Sequence, residues 1–144
     1  MYNDLINIVI LVYNKKNIVF SVGGFKMSIK LKNEYGEIKI DNSVIAHTAG
    51  IAAMKCEGVV GMAAKNVKDG FVKILKGENF INGIKLNIKD NLLEIELHVI
   101  VEYGTNITKA ANGIIGAVKY SVNDILGIDT ENIKVFVEGI KVNN

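Results

Sequence analysis

The strictest alternation of apolar and polar positions runs through residues 83–104, "GIKLNIKDNLLEIELHVIVEYG". Apolar side chains occupy every second position before and after Asp90-Asn91, the period at which strand residues share one face. The pattern therefore predicts a β-hairpin with one buried face and a turn at Asp90-Asn91. Its outward face carries lysines on the first strand and glutamates on the second, charges that attract across a strand pair. The predicted inward positions are Ile84, Leu86, Ile88, Leu93, Ile95, Leu97, Val99 and Val101.

Two helices are predicted on either side of this hairpin. The first covers Val44 to Cys56, with Asp41 or Ser43 as its cap and Gly58 as its end. The second begins after Thr105 or Asn106 and ends at Gly127. Positions spaced by three or four residues mark one stripe on each helix. The first stripe is Val44, Thr48, Ile51, Ala52 and Lys55, with Ile45 and Ala49 beside it; the second is Ile107, Ala111, Ile114, Val118, Val122 and Ile125.

Three further strands complete the predicted order. "YGEIKI" forms a half-buried strand that ends at Ile40, Val59 to Ala63 forms another, and Asn132 to Val142 closes the chain. A polar connection, Asn66 to Gly83, separates the second strand from the hairpin. The sequence therefore predicts an α+β fold, a two-layer sandwich with the order β-α-β-(polar connection)-β-β-α-β. Its two amphipathic helices would pack on a mixed sheet.

Composition fits one globular domain. The chain has 144 residues, of which 49% are hydrophobic and 22% charged, enough to bury a core without a metal or a disulfide. Cys56 is the only cysteine. Lysine supplies every basic residue, and the missing arginine fork lowers the expectation of nucleic-acid binding. No apolar run reaches the length that spans a bilayer, and no export signal is evident.

The candidate chemistry is sparse. His47 has no neighbouring nucleophile fixed by the local sequence, so a half-buried or surface role is expected. His98 and Glu96 are two residues apart on the outward strand face, but a zinc site needs a third ligand. Cys56 meets the negative end of the first helix, which disfavours a thiolate, so we interpret it as a small core residue. The sequence therefore predicts no catalytic, cofactor-binding or metal-binding residue, no cofactor and no enzyme activity.

Two glycine pairs suggest an alternative function. "GVVG", Gly58 to Gly61, and "GIIG", Gly113 to Gly116, match the G-x-x-G loop with which KH domains clamp a nucleic-acid backbone. Their apolar central residues are more typical of a core. A KH-like nucleic-acid-binding protein is therefore the alternative, and nucleic acid is an unlikely partner.

The longer segments resemble one family. "YGEIKIDNSVIAHTAGIAAMKCEGVVGMA", "GIKLNIKDNLLEIELHVIVEYGTNI" and "VNDILGIDTENIKVFVEGIKV" resemble the alkaline shock protein family, the Gls-type envelope stress response family of Gram-positive bacteria. "CEGVVGMAAKN" and "DGFVKILKGENF" indicate its YloU-like branch. The resemblance covers about Ser28 to Val142.

This resemblance implies a cytoplasmic, non-enzymatic scaffold or regulator of cell-envelope stress and homeostasis. It would act through protein–protein contacts and self-association, as a homo-oligomer. A membrane-anchored protein or a lipid-synthesis enzyme is the implied partner, so membrane association would run through that partner rather than through a span of the chain itself.

The stretch "GGFKM", Gly23 to Met27, raises a separate question about where translation starts. Residues 1–26 have no counterpart in the family pattern, and the basic surplus of the chain disappears after Met27. Codons GGA-GGT-TTT-AAA-ATG would place a ribosome-binding core just before Met27. We therefore expect two parts: a non-family extension, residues 1–26, and a family domain, residues 27–144, with Met27 as the natural start. The rival interpretation is a hairpin within 1–26 that extends the sheet or covers an edge.

Overall fold

The computed structural model describes residues 10–11, 18–23, 26–65, 72–75, 77–89 and 92–142. Nine strands and two α-helices occupy these ranges. The predicted Asp90-Asn91 turn and residues 66–71 of the polar connection lie outside them, as does most of the predicted N-terminal hairpin. The strands are β1 Ile10–Leu11, β2 Ile18–Gly23, β3 Lys26–Asn33, β4 Gly36–Asp41, β5 Val59–Lys65, β6 Val72–Leu75, β7 Ile84–Lys89, β8 Leu92–Glu102 and β9 Thr130–Lys141. The helices are α1 Asn42–Met54 and α2 Ile107–Lys119.

The mixed sheet is built around β8. One edge of β8 pairs along most of its length with β9, which runs parallel to it from Leu93↔Thr130 to Glu102↔Lys141. The other edge has two successive antiparallel partners. β7 pairs with Leu92–Leu97, and β5 pairs with Val99–Val101. The predicted β7–β8 pairing is therefore correct, and every inward position from Leu93 to Val101 is buried. The alternation of burial ends at Ile100, an outward position in the pattern that is buried as well.

A second sheet was not predicted. The strand "GEIKID" does not join the mixed sheet but pairs with β3, in a four-stranded antiparallel sheet ordered β1-β2-β3-β4. Ile29 on β3 is fully buried in the core, and the partly buried Ile40 on β4 packs against the core. Ile38 is exposed, so the expectation of a buried Ile38 is wrong. It lies closer to the Glu34-Tyr35 turn, beyond the reach of the core.

Met27 lies inside a strand of this second sheet. β2 pairs with β3 from Ile18↔Leu31 to Gly23↔Lys26, which places Met27 opposite Val22. In this register Ile18 and Phe20 lie opposite the core-facing residues Leu31 and Ile29. Residues 18–23 thus pair with a strand of the family domain, as they would in the rival interpretation, in which residues 1–26 extend the sheet. The start at Met27 stays a prediction.

Both helices pack on the sheets around one core, so the predicted two-layer α+β sandwich is confirmed. Gly50 of α1 permits the closest approach: a Cβ at this position would overlap the ring of Phe80. Phe80 belongs to a short 3₁₀ helix, Gly77–Gly83, which leads into β7. This part of the polar connection therefore packs against α1, and Phe80 contacts the core.

The first helix presents a different face to the core from the one predicted. Its buried residues are Ile45, Ala46, Ala49, Gly50, Ala52 and Ala53. Of the predicted stripe only Ala52 is buried, while Val44 and Ile51 are exposed. Apart from Ile45, the inner face consists of small residues, which permit a close approach of the sheets, whereas Val44 and Ile51 lie on the outer face. Asp41 occupies the N-cap position, but its side chain makes no capping hydrogen bond to the backbone.

The second helix changes register near its end. α2 continues into a π-helical turn, Tyr120–Ile125, in which Leu126 N donates to Ser121 O at 3.2 Å. A π turn adds one residue per turn and rotates the residues after it around the helix axis. Ala110, Ile114, Val118 and Val122 are buried, but Ile125 is exposed and Leu126 packs against the core in its place. The predicted inward positions Ile107 and Ile125 are wrong: the π turn moves Ile125 to the surface, and Ile107 is exposed at the first residue of α2.

Candidate functional site

His98 has a partner that the sequence did not reveal. Its Nδ1 lies 2.6 Å from Oε1 of Glu138, and the two side chains are only 17% and 16% exposed. Its ring stacks on that of Phe136, with centroids 4.8 Å apart and planes 9° apart. His98 lies on the outward strand face, where contact with solvent is expected, but its side chain is half-buried. The sequence alone indicates this pairing of His98 and Glu138 only weakly, because the pairing depends on the parallel register of β8 and β9.

A bulge in β9 positions Glu138. Val137 pairs with Val99 and Gly139 pairs with Ile100, so Glu138 is an extra residue between two regular pairs. With the Glu138 carboxylate as the acceptor, Nδ1 of His98 is the donor of this hydrogen bond. Its Nε2 is buried, and no polar atom of the described residues forms a hydrogen bond with it. The pair links the neighbouring strands β8 and β9 on the outer face of the sheet.

The metal hypothesis for His98 gains no support from this arrangement. Glu96 lies on the same strand, but Glu138, rather than Glu96, contacts the ring. Across the ranges that the structure describes, no group of three or more His, Cys, Asp or Glu side chains could hold a metal ion. One carboxylate and one imidazole are fewer ligands than a zinc site requires.

His47 and Cys56 lie on α1 and just after it. Nδ1 of His47 is 2.7 Å from the carbonyl oxygen of Ser43, one turn earlier, and the ring meets Phe80 edge-on at 5.5 Å. The thiol of Cys56 donates to the carbonyl of Ala52 at 3.4 Å. Burial raises the pKa of Cys56, so the thiol form predominates at neutral pH. Each side chain thus contacts a backbone carbonyl four residues earlier in its own segment, and His47 also contacts Phe80 of the 3₁₀ helix.

An open cleft of about 520 Å³ lies where the end of α1, the end of β8 and the start of α2 meet. Its walls include Cys56 and Glu57 from one side and Tyr103, Asn106 and Lys109 from the other. The side chain of Asn106 caps α2 by accepting from the backbone N–H of Lys109 at 3.1 Å. The cleft thus contains both signs of charge and a thiol whose raised pKa makes it a poor nucleophile.

The two G-x-x-G segments do not form loops. Gly58 ends the turn after α1 with φ +86°, and Val59 to Gly61 already belong to β5. The other segment, Gly113 to Gly116, lies inside α2. A nucleic-acid clamp of the KH type needs an exposed G-x-x-G loop. Neither segment provides that geometry.

The outer face of α1 exposes three apolar side chains. Val44, Ile51 and Met54 are 45%, 46% and 43% exposed. Positions 44, 51 and 54 lie within one side of a helix with 3.6 residues per turn. Thr48 and Lys55 lie on the same side and give this outer face of α1 a polar margin. None of the helices in the described ranges has both the length and the apolar character needed to cross a membrane.

Comparison with known proteins agrees with the resemblance. The model of the alkaline shock protein 23 family, described as having a cell envelope-related function, matches residues 30–142. The uncharacterized protein YloU of Bacillus subtilis is 43% identical over 119 residues, which cover 82% of this chain and 99% of the relative. The uncharacterized protein Spy1614 of Streptococcus pyogenes is 32% identical over 117 residues, covering 81% and 97%.

A more distant relative covers somewhat less of the chain. The uncharacterized protein YqhY of Bacillus subtilis is 26% identical over 106 residues, covering 74% of this chain and 78% of the relative. No solved structure matches the chain. The family match spans most of the described residues, including α1, α2 and β9. The chain belongs to the alkaline shock protein 23 family, whose function is related to the cell envelope.

Proposed function

We propose that this protein is a non-enzymatic scaffold or regulator of cell-envelope homeostasis and stress that acts through protein–protein contacts and self-association. The outer face of α1 carries this proposal. Val44, Ile51 and Met54 remain exposed there although α1 is otherwise packed on the sheets. An aligned group of exposed apolar side chains with a polar margin is typical of a surface that binds another protein.

The contacts of the titratable side chains support a non-enzymatic role. His47 bonds to a backbone carbonyl and His98 to Glu138, while burial raises the pKa of Cys56. A general base or a nucleophile would need the opposite arrangement, in which the reactive atom is accessible and activated. The proposed activity is therefore recognition of a partner rather than chemistry on a substrate.

The proposed partner is a membrane-anchored protein or a lipid-synthesis enzyme. The cell envelope-related function of the family supports this class of partner. In this proposal the protein resides in the cytoplasm and reaches the membrane through its partner, which binds the outer face of α1. Apolar contact would supply most of the binding free energy, at about 25 cal/mol for each Å² that is buried.

Affinity capture with matched variants tests the proposal. The Ile51→Lys variant places a charge at the centre of the outer face of α1, whereas Ile125→Lys makes the same change at an exposed isoleucine outside it. We expect the unaltered protein and Ile125→Lys to retain the same membrane-anchored or lipid-synthesis partner, and Ile51→Lys to lose it. Circular dichroism should show that both variants are folded.

Three outcomes would count against this function or a part of it. If Ile51→Lys retains its partner as well as Ile125→Lys does, the outer face of α1 does not bind it. If the protein instead shifts mixed RNA or single-stranded DNA, with affinity that falls steeply with salt, the KH-like alternative is favoured. Elution as a monomer at every micromolar concentration would remove the self-association part.

A further inference from the structure

We propose that two copies of this protein associate by antiparallel pairing of β9 with β9, about a two-fold axis that passes beside Phe136. This inference rests on the proposed self-association and specifies its surface. The association would join two five-stranded sheets into one continuous sheet. Backbone hydrogen bonds would supply the contact, and side chains would set the register.

The first observation is a free sheet edge. Among the strands that the structure describes, β9 pairs with β8 alone, so its opposite edge has no strand partner there. β9 is twelve residues long, the longest strand in these ranges. A long edge strand presents a row of backbone N–H and C=O groups that can pair with another chain.

The second observation is incomplete burial on the core face at this edge. Ile95, Leu97 and Val99 of β8 are 0% exposed. Their register partners on β9 are Ile133, Val135 and Val137, which face the same core but remain half-buried. The loss of cover from one strand to the next is what an open sheet edge produces. A further strand beyond β9 would cover these three side chains.

The third observation is that β9 is complementary to itself in one register. A two-fold axis perpendicular to the sheet keeps each face of one copy next to the same face of the other. With the axis beside Phe136, Val135 lies opposite Val137 of the copy, and Lys134 lies opposite Glu138 of the copy. Each dimer then gains two pairs of opposite charges, and such pairs stabilise adjacent strands. A register centred on Lys134 would instead oppose two lysines.

The side chains on this face are compatible with that register. Phe136 is exposed and stacks on His98 through one face of its ring. The side chain of Lys134 is 43% exposed, with Nζ 3.0 Å from Glu94 Oε1, so its ammonium already lies over the outer face of the sheet. A carboxylate accepts through two oxygens, so the bond from His98 to Oε1 of Glu138 is compatible with a second bond from a lysine.

Disulfide trapping tests this register. In a background with Cys56→Ala, the variant Phe136→Cys places two thiols directly opposite each other, where Cα atoms are about 4.5–5.5 Å apart. Asn132→Cys is the matched control, since it lies on the same face of β9 but four residues from the axis. Its two thiols would be separated by about 26 Å, from a rise of about 3.3 Å per residue.

Oxidation of the folded protein should convert Phe136→Cys, but not Asn132→Cys, into a dimer that reductant reverses. A charge variant gives an independent measurement on the non-oxidised protein. Lys134→Glu would place a glutamate opposite Glu138 of the copy at both symmetric positions and should weaken dimerisation about tenfold or more. Lys39→Glu makes the same charge change on β4 and should leave the dimerisation constant unchanged.

The outcomes separate this inference from the broader proposal. If the protein self-associates but Asn132→Cys cross-links as readily as Phe136→Cys, or Lys134→Glu has no effect, the β9 pairing is overturned while self-association stands. If sedimentation shows only monomers up to high micromolar concentration, both the pairing and the proposed self-association are refuted.

Discussion

Nδ1 of His98 lies 2.6 Å from Oε1 of Glu138, although the two residues are 40 positions apart in the chain. They meet because β9 returns parallel to β8 after α2, and because a bulge aligns Glu138 with His98. A parallel pair of neighbouring strands always needs such a crossover. The contact therefore reports on the docking of β9 and α2 as well as on the two side chains themselves.

Removal of Glu138 should destabilise the fold. In Glu138→Ala the Nδ1–H of His98 loses its acceptor in a largely buried position, which typically costs about 1–3 kcal/mol. Glu138→Gln keeps an acceptor oxygen and should cost less. Urea denaturation of both variants measures the difference. Equal stability of the unaltered protein and Glu138→Ala would mean that solvent satisfies His98 equally well.

Gly58 and Gly113 should respond in opposite ways to alanine. Gly58 has φ +86°, and a Cβ there would overlap the Thr105 side chain, so Gly58→Ala should destabilise the protein by at least about 1–2 kcal/mol. Gly113 lies in α2 with nothing within 4 Å of an added Cβ. Gly113→Ala should stabilise it by about 0.5–1 kcal/mol. Thermal unfolding compares the two variants, and a shift in the same direction would contradict these conformations.

Because of the π turn after α2, Leu126 should contribute more to the free energy of unfolding than the adjacent Ile125. Leu126 packs against the core, whereas Ile125 is exposed. Leu126→Ala should therefore cost about 1–2 kcal/mol, less than a fully buried leucine would. Ile125→Ala should change the free energy of unfolding by no more than about 0.5 kcal/mol. If Ile125→Ala is the more damaging change, the helix continues as a regular α-helix.

A chain that begins at Met27 should fold on its own. It would lose β1 and β2 but keep β3 paired with β4, along with the core that includes Ile29. We expect cooperative unfolding, with a midpoint lowered by less than about 5 °C, roughly the shift that 1 kcal/mol causes at this size. The mass of the protein from its native source tests the start itself. Loss of cooperative unfolding in the shorter chain would favour an integral role for β2.

Buried positions were predicted most accurately from the sequence where the local alternation of apolar and polar residues coincides with burial in the structure. The alternation along β8 identified its buried face correctly, because every inward position there meets the core. It failed on α1, where apolar side chains surround the helix and periodicity cannot choose between Val44 and Ile45. There the packing of α1 against the sheets decides, and the face that it buries consists of Ile45 and small residues.

The remaining errors come from structure that local spacing does not encode. Ile125 fits the helical period, and one extra residue in a π turn moves it to solvent. The His98–Glu138 pair depends on strand order and on a bulge. The family, by contrast, was identified from whole segments, because a pattern extended over a domain is far more specific than any single spacing.

The division of one β8 edge between β5 and β7 has a consequence for local opening. Detachment of β7 would break only the backbone pairs to Leu92–Leu97, while those between β5 and Val99–Val101 could persist. Along its other edge β8 would still be held by β9. Amide protons on either side of Leu97 should therefore exchange with solvent in two separate units, each with its own free energy of opening, rather than as a single sheet.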